Sequence, residues 1–380
     1  MSAPRPTVVV TGIAGNLGQR LLPLLADFSV VGVDVRPPSA PMAMRFESLD
    51  LGGESSCQQL VDILRQSGAT AVVHLAFVLD PLRTGVLDVQ KMWQINVAGT
   101  ARVMEAITEV NRTHHGAVSQ FIFPSSVAAY GPGLQQAVKE DYPLGGHTLP
   151  YAIHKREADE VVRLRAPSLG PCTTYILRPH IYAGASVRNY MIGVLHGVPG
   201  GRGRLADYLR ARGTRLPLAL PKGGQYLSNR IQFIHVDDVA RLLAWILRRP
   251  ATAPSHGAAL APGGVLEHGQ HTVILNVAAR GDAIPLRLAA RIAGQKILHL
   301  PSRTACRWAL EWMWKLGISD IPPQALPYML CPTVMDTRRL RAFLGNDYEQ
   351  VIRYSNESAL TETFSPASAS DISEPAAHSA

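Results

Sequence analysis

Cysteine is scarce in this chain of 380 residues: only Cys57, Cys172, Cys306 and Cys331 occur. None stands at Cys-x-x-Cys spacing, which argues against a zinc knuckle or a dithiol redox motif of that pattern. Sparse cysteines in so long a chain suit a reducing compartment, so a cytoplasmic protein is expected. Charge is thin as well, 17% of residues against 47% hydrophobic, which points to a globular chain with one or two cores. No apolar run is long enough to cross a bilayer. The N-terminus passes from Met1-Ser2-Ala3-Pro4-Arg5-Pro6 directly into an apolar segment, without the charged and apolar regions of a signal peptide. No internal repeat is visible.

The charge that is present leans positive, with a formal net of +8. Arg202, Arg204, Arg210, Arg212, Arg215, Lys222 and Arg230 fall in one stretch whose single acid is Asp207. That stretch is either a solvated face or the mouth of a site for an anionic small molecule. Nucleic acid is a poor partner, because only Tyr208 and Tyr226 are interleaved with the basic residues.

Along the first half, short apolar runs alternate with helical stretches. Thr7-Val8-Val9-Val10-Thr11-Gly12, Val30-Val31-Gly32-Val33-Asp34, a short run before Asp50, Ala71–Ala76, Gln120–Phe123 and Tyr175–Leu177 read as strands. Helices are expected from Asn16 to about Ala26, where Pro23 should kink or shorten the element, and over 57–66 and 90–110. This alternation predicts an α/β fold, a doubly wound parallel sheet of Rossmann type with a smaller C-terminal substrate domain. The expected division is 1–184 plus 231–280 for the nucleotide-binding domain, 185–230 plus 281–364 for the substrate domain, and a disordered Ser/Ala/Pro-rich tail over 365–380. Phe233–Val236 should be a strand, with Asp237 or Asp238 capping a helix Val239–Leu247. Helices are also expected over 285–294 and 301–316, the latter with Trp308 and Trp312 as a packing stripe.

Thr11-Gly12-Ile13-Ala14-Gly15-Asn16-Leu17-Gly18 follows the first strand and opens a helix. Missing side chains there let backbone approach a pyrophosphate at a helix N-terminus. Asp34 ends the second strand, where a carboxylate accepts hydrogen bonds from ribose hydroxyls and repels a 2′-phosphate, so NAD is favoured over NADP despite nearby Arg36. Asp50-Leu51 follows the third strand, and the Asp50 carboxylate is placed to meet the adenine amino group.

Tyr151-Ala152-Ile153-His154-Lys155 puts a phenol and an ammonium on one helix face. A free phenol is a poor base at neutral pH, and a neighbouring ammonium should lower its pKa. Pro124-Ser125-Ser126 lies just past the fifth strand and supplies a hydroxyl opposite, at the carboxyl edge of the sheet where ligands bind.

Together these segments resemble the extended short-chain dehydrogenases, the NAD-dependent epimerase/dehydratase family, over roughly residues 7–280. Further matching pieces are His74-Leu75-Ala76, Asn96-Val97-Ala98-Gly99-Thr100, Leu177-Arg178-Pro179 and Phe233–Ala240. The resemblance implies Ser126, Tyr151 and Lys155 as the catalytic set. It further implies that Gly12, Gly15, Asn16, Leu17, Gly18, Asp34, Asp50, Leu51, Leu75, Ala76, Asn96, Tyr151, Lys155 and Pro179 line an NAD site, and that the protein forms a homodimer. His74 and His235 sit in apolar strands and read as core residues. Val127 and Ala128 replace the acidic pair of the sugar dehydratases, which argues against dehydration. Ile181 and Ile231 stand where nucleotide-sugar epimerases place an Asn and an Arg, so a UDP-sugar is in doubt. His180 and Tyr182 then flank the substrate as polar contacts or as packing. The expected activity is hydride transfer at a secondary alcohol or ketone. A nucleotide-sugar epimerase with retained NAD and a non-catalytic dinucleotide sensor are the alternatives.

Overall fold

A computed structural model describes residues 5–38, 44–79, 88–113, 117–134, 136–249 and 272–365. The expected tail falls almost entirely outside them. Seven strands form one sheet: β1 (Thr7–Thr11), β2 (Ser29–Asp34), β3 (Arg45–Ser48), β4 (Ala69–His74), β5 (Gln120–Pro124), β6 (Thr173–Pro179) and β7 (Thr272–Val277). Their order is β7-β6-β5-β4-β1-β2-β3, and every pairing is parallel. The chain builds outward from β1 to β3, then returns to place β4 on β1's other side. That reversal leaves a crevice past the carboxyl ends of β1 and β4, where the connections depart in opposite directions.

Both faces of the sheet are covered, which explains the unbroken apolar runs of β1, β4 and β5. On one face Val9, Val72, Phe121 and Phe123 pack on Leu60, Met104, Ile107 and Val162. These come from α2 (Ser56–Ser67), α3 (Gly99–Thr113) and α4 (Pro150–Arg165). On the other face Val8, Val10, Ile122 and Leu177 meet Leu21, Leu25, Val239, Leu243 and Ile246. A third core lies between segments distant in sequence, joining Met191, Leu195, Leu220 and Phe233 to Leu286, Ala289, Leu330 and Leu360.

Pro23 shortens the first helix as expected, and two other sequence expectations need correcting. Helix α1 covers only Asn16–Leu21 and passes into a tighter 3₁₀ turn, Leu22–Leu25, with Pro23 in its first positions. Pro23 has no N–H to donate back to Gln19, so the α-helix stops there. Helix α5 (Val236–Leu247) is capped by His235, whose Nδ1 accepts from Asp237 N at 3.2 Å. The chain is extended through His235, so Asp237 and Asp238 already lie in the first turn. Buried Asp238 instead takes the backbone N–H groups of Arg353 at 3.0 Å and Tyr354 at 3.1 Å, tying down the C-terminal segment. Helix α6 (Arg303–Lys315) turns Cys306, Ala309, Leu310 and Met313 inward around an apolar cavity. That choice of face sends Trp308 and Trp312 outward, 64% and 63% exposed, so they are not a packing stripe. Among the described residues, no helix is long and apolar enough to cross a membrane.

Candidate active site

The glycine loop joins β1 to α1, and its three glycines are there for two different reasons. Gly12 has φ +72°, and a Cβ on it would lie 2.4 Å from the backbone N of Ala76. A Cβ on Gly18 would lie 2.5 Å from the Ile13 carbonyl oxygen. Both are required by the fold itself. A Cβ on Gly15 would meet only the Gly12 carbonyl, at 3.1 Å, and Gly15 also lines a cavity. Gly15 is therefore the position at which backbone is bared toward a ligand. Asp34 braces the loop: its Oδ2 accepts from Ala14 N at 3.0 Å and its Oδ1 from Val35 N at 2.8 Å. Asn16 donates through Nδ2 to Ser186 Oγ at 2.8 Å, closing the loop against the segment after Gly184.

Ser126 follows β5 and caps the 3₁₀ turn Val127–Tyr130, its Oγ accepting from Ala128 N at 3.1 Å. Tyr151, Lys155 and Asp159 recur at every fourth residue of α4, so they line one face of that helix. Burial pushes the Tyr151 phenol up to about 12, and a hydrogen bond with Ser126 offsets part of this. Lys155 is pushed down to about 7 by burial, with Asp159 pulling the other way. The expected lowering of the phenol by the ammonium is not found. Lys155 Nζ instead donates to the Pro124 carbonyl at 2.7 Å and sits 3.6 Å from the Phe77 ring centre.

Helix α4 is held to the sheet from below by a fully buried ion pair. Arg178 on β6 grips Asp159 with two parallel hydrogen bonds, Nε and Nη2 each at 2.9 Å from a carboxylate oxygen. Its Nη1 donates to the Tyr130 hydroxyl at 2.7 Å and to the Glu140 carbonyl at 2.8 Å, and Tyr130 donates on to Asn276 Oδ1 at 2.7 Å. Each nitrogen of the guanidinium donates to an acceptor, four hydrogen bonds in all, which is the condition under which a buried charge is tolerated.

A cavity of about 530 Å³ brings nine of the anticipated residues together: Gly12, Gly15, Asn16, Leu17, Gly18, Leu75, Ser126, Tyr151 and Lys155. Asp34, Asp50, Leu51, Ala76, Asn96 and Pro179 do not line it. Asp50 caps its own turn, accepting from Gly52 N at 2.8 Å, while Leu51 is a core residue. Asn96 clamps Val78, accepting from its N–H at 2.6 Å and donating to its carbonyl at 3.0 Å, and so fixes the strand exit that carries Leu75 and Phe77. Ala76 N donates to Thr11 Oγ1 at 3.3 Å, and Pro179 is buried at the end of β6 opposite Val277.

The histidines divide clearly. His74 bonds Thr11 at 2.7 Å and Thr100 at 3.0 Å in full burial, which holds its pKa down to about 3: a neutral core residue. His235 caps α5 and stacks on Tyr354 with ring centres 3.8 Å apart. His180 lines the cavity, but Nε2 faces the Thr333 carbonyl at 3.0 Å and Nδ1 takes Ile181 N at 2.8 Å. None of the seven basic residues between 202 and 230 lines the cavity, so that stretch is not the mouth of this site. Sequence reasoning missed Phe77, Val187, Tyr190, Met191, Tyr328 and Met329, all on the cavity wall. They sit in segments without a periodic pattern, and only folding brings them together.

Sheet order, crevice and residue set define a dinucleotide-binding α/β protein with a Ser/Tyr/Lys group at the sheet's carboxyl edge. The model of the NAD dependent epimerase/dehydratase family matches residues 8–259, and the chain belongs to that family. It is similar to the UDP-glucose 4-epimerase of Mus musculus, 29% identical over 175 residues that cover 41% of this chain and 48% of that protein. The UDP-glucose 4-epimerase of Erwinia amylovora is 28% identical over 206 residues, 51% of this chain and 58% of that one. The chain thus spans about half the length of the curated relatives it matches. Solved structures share the fold over nearly the whole length. The UDP-glucose 4-epimerase of Thermus thermophilus in complex with NAD has TM-score 0.62 and 19% identity, with 94% of this chain and 97% of that chain covered. The dTDP-glucose 4,6-dehydratase of Bacillus anthracis in complex with NAD has TM-score 0.60 and 13% identity, with 97% of each covered.

Proposed function

We propose that the protein is an NAD-dependent oxidoreductase that interconverts a secondary alcohol and a ketone, with Tyr151 as the acid/base. One observation carries this reading: Ser126, Tyr151 and Lys155 line the same cavity as the glycine loop. The residues fit a dinucleotide. Gly15 bares backbone toward the cavity, and the Asp34 carboxylate ends β2 beside the loop with lone pairs beyond those given to Ala14 and Val35. Gly12, Asn16, Leu17, Gly18 and Leu75 would complete the wall around it, Lys155 would hold its nicotinamide ribose, and Asp50, Leu51, Ala76, Asn96 and Pro179 would support that wall from behind. NAD, when bound, supplies the hydride acceptor or donor.

The protein's own part is proton handling. At neutral pH a phenol held at about 12 is protonated, so Tyr151 gives its proton to a ketone oxygen as that oxygen gains charge. Ser126, already hydrogen-bonded to Tyr151, orients the same oxygen. Lys155, at about 7, can both give and take a proton near neutrality, as resupply of Tyr151 requires. The solved neighbours, in complex with NAD, support the cofactor.

An epimerase that retains NAD is the second reading, and the names of the matched relatives favour it. Whether the purified protein carries NAD that survives gel filtration separates the two. Retention supports the epimerase, and free exchange supports a net dehydrogenase. Titration with both dinucleotides tests Asp34, and tighter binding of NADP would overturn its role. We further place the protein in the cytoplasm as a homodimer, with residues 185–230 and 281–364 as a substrate-binding part.

A further inference from the structure

We propose that the substrate is a lipophilic secondary alcohol or ketone with a largely hydrocarbon skeleton, not a polyhydroxylated sugar. This rests on the hydride-transfer reading and names the substrate class for the same site.

The cavity beyond the glycine loop is walled by Val127, Leu149, Ile181, Val187, Met191 and Met329. A sugar needs partners on that wall for each hydroxyl it takes from water, because an unpaired buried hydroxyl costs affinity. Several of the polar side chains that reach the wall beyond the reacting group are turned to the protein. Both ring nitrogens of His180 are taken by Thr333 and Ile181. Asn189 donates to the Tyr182 carbonyl at 2.8 Å and accepts from Ile192 N at 3.0 Å. The Tyr328 hydroxyl donates to the His147 carbonyl at 2.8 Å and accepts from His147 N at 3.0 Å. Asn16 and Ser186 bond each other. Among the described residues, the groups that remain are the reacting set Ser126, Tyr151 and Lys155, the Tyr182 hydroxyl near Tyr151, the exposed Arg188, and the hydroxyls of Ser125 and Thr333, both buried without a partner. Such a wall reads shape and apolar area, with one carbonyl or hydroxyl oxygen placed at Tyr151. The chemistry balances as a simple two-electron exchange: the ketone carbon gains a hydride from NADH, its oxygen gains the Tyr151 proton, and the reverse oxidises the alcohol.

The test is calorimetric titration of the full chain, saturated with NADH, with methyl ketones of increasing chain length and with UDP-glucose. Affinity should rise about fourfold per added methylene, and UDP-glucose should bind more weakly than the longer ketones. A flat series, or UDP-glucose binding more tightly than the longest ketone, would overturn the proposal. Ile181→Asn should weaken ketone binding about tenfold while leaving NADH affinity unchanged; unaltered ketone affinity counts against it. Cofactor absorbance then separates the two layers of inference. Ketones that bind in the expected order without oxidising NADH would sink the oxidoreductase reading and leave the apolar site standing. Epimerisation of UDP-glucose with no ketone binding would do the reverse.

Discussion

The two ends of the cavity are built by different means. At the glycine-loop end, position is set by backbone: Gly12 touches the exit of β4, Gly18 touches Ile13, and Asp34 and Asn96 hold main-chain groups with their side chains. At the other end the walls are apolar side chains from 181–191 and 325–333, resting on the third core. Backbone contacts cannot relax without moving a strand, whereas side chains can change rotamer. The first end should therefore be intolerant and the second adaptable, which is what a fixed cofactor and a variable substrate require.

Changes in residues at and beneath these two ends should show this, from strong effects to weak. Tyr151→Phe, where the ends meet, should lower turnover about 10²–10⁴-fold with NAD affinity unchanged in titration; undiminished turnover would remove Tyr151 from the chemistry. Arg178→Met leaves Asp159 as a buried unpaired charge beneath α4, and urea unfolding should show a loss of about 3–5 kcal/mol. A loss below about 1 kcal/mol would mean that water or another donor rescues Asp159. Gly12→Ala combines a left-handed φ with a backbone clash, an expected cost of about 3 kcal/mol. Ile181→Val on the opposite wall should cost under about 1 kcal/mol, and equal costs at the two positions would break the comparison.

Acid should act through the buried histidines. His74 and His180 are held by burial at about 3 and about 4, against 6.5 when unfolded. The unfolded chain therefore binds protons that the folded chain refuses between those values. Their stabilisation is present in full above 6.5 and is lost as pH falls through that window. Unfolding free energies from urea titrations at about pH 7.5 and about pH 5 should differ by on the order of 4 kcal/mol, about 2 for each ring, and an unchanged free energy would show that the rings charge in place. The smallest effect belongs to the outward face of α6, where Trp312→Gln should change stability by less than about 0.5 kcal/mol.

Much of the first end was legible in the sequence because its cause is local. A glycine that only the turn can tolerate, an acid at a strand end and a Tyr-x-x-x-Lys pair on one helix face each leave a mark within a few residues. Asn96 and Asp50 were legible as positions, whereas their contacts within the protein were not: one clamps Val78 and the other caps its own turn. The second end was not legible. Val187 and Met329 face one space although more than a hundred residues separate them, and no periodicity links them. Trp308 and Trp312 misled for a related reason: helical spacing says that two residues share a face, not which face the core will choose.

The Arg178–Asp159 pair has one more consequence, for how the protein fails. Tyr151 and Lys155 stand on a helix fastened through Asp159 to a strand flanked on both sides within the sheet, so the catalytic group belongs to the same cooperative unit as the core strands. Local fraying cannot detach it while the sheet persists. Turnover and secondary structure should then vanish together along a denaturant series, leaving no folded but inactive species between them.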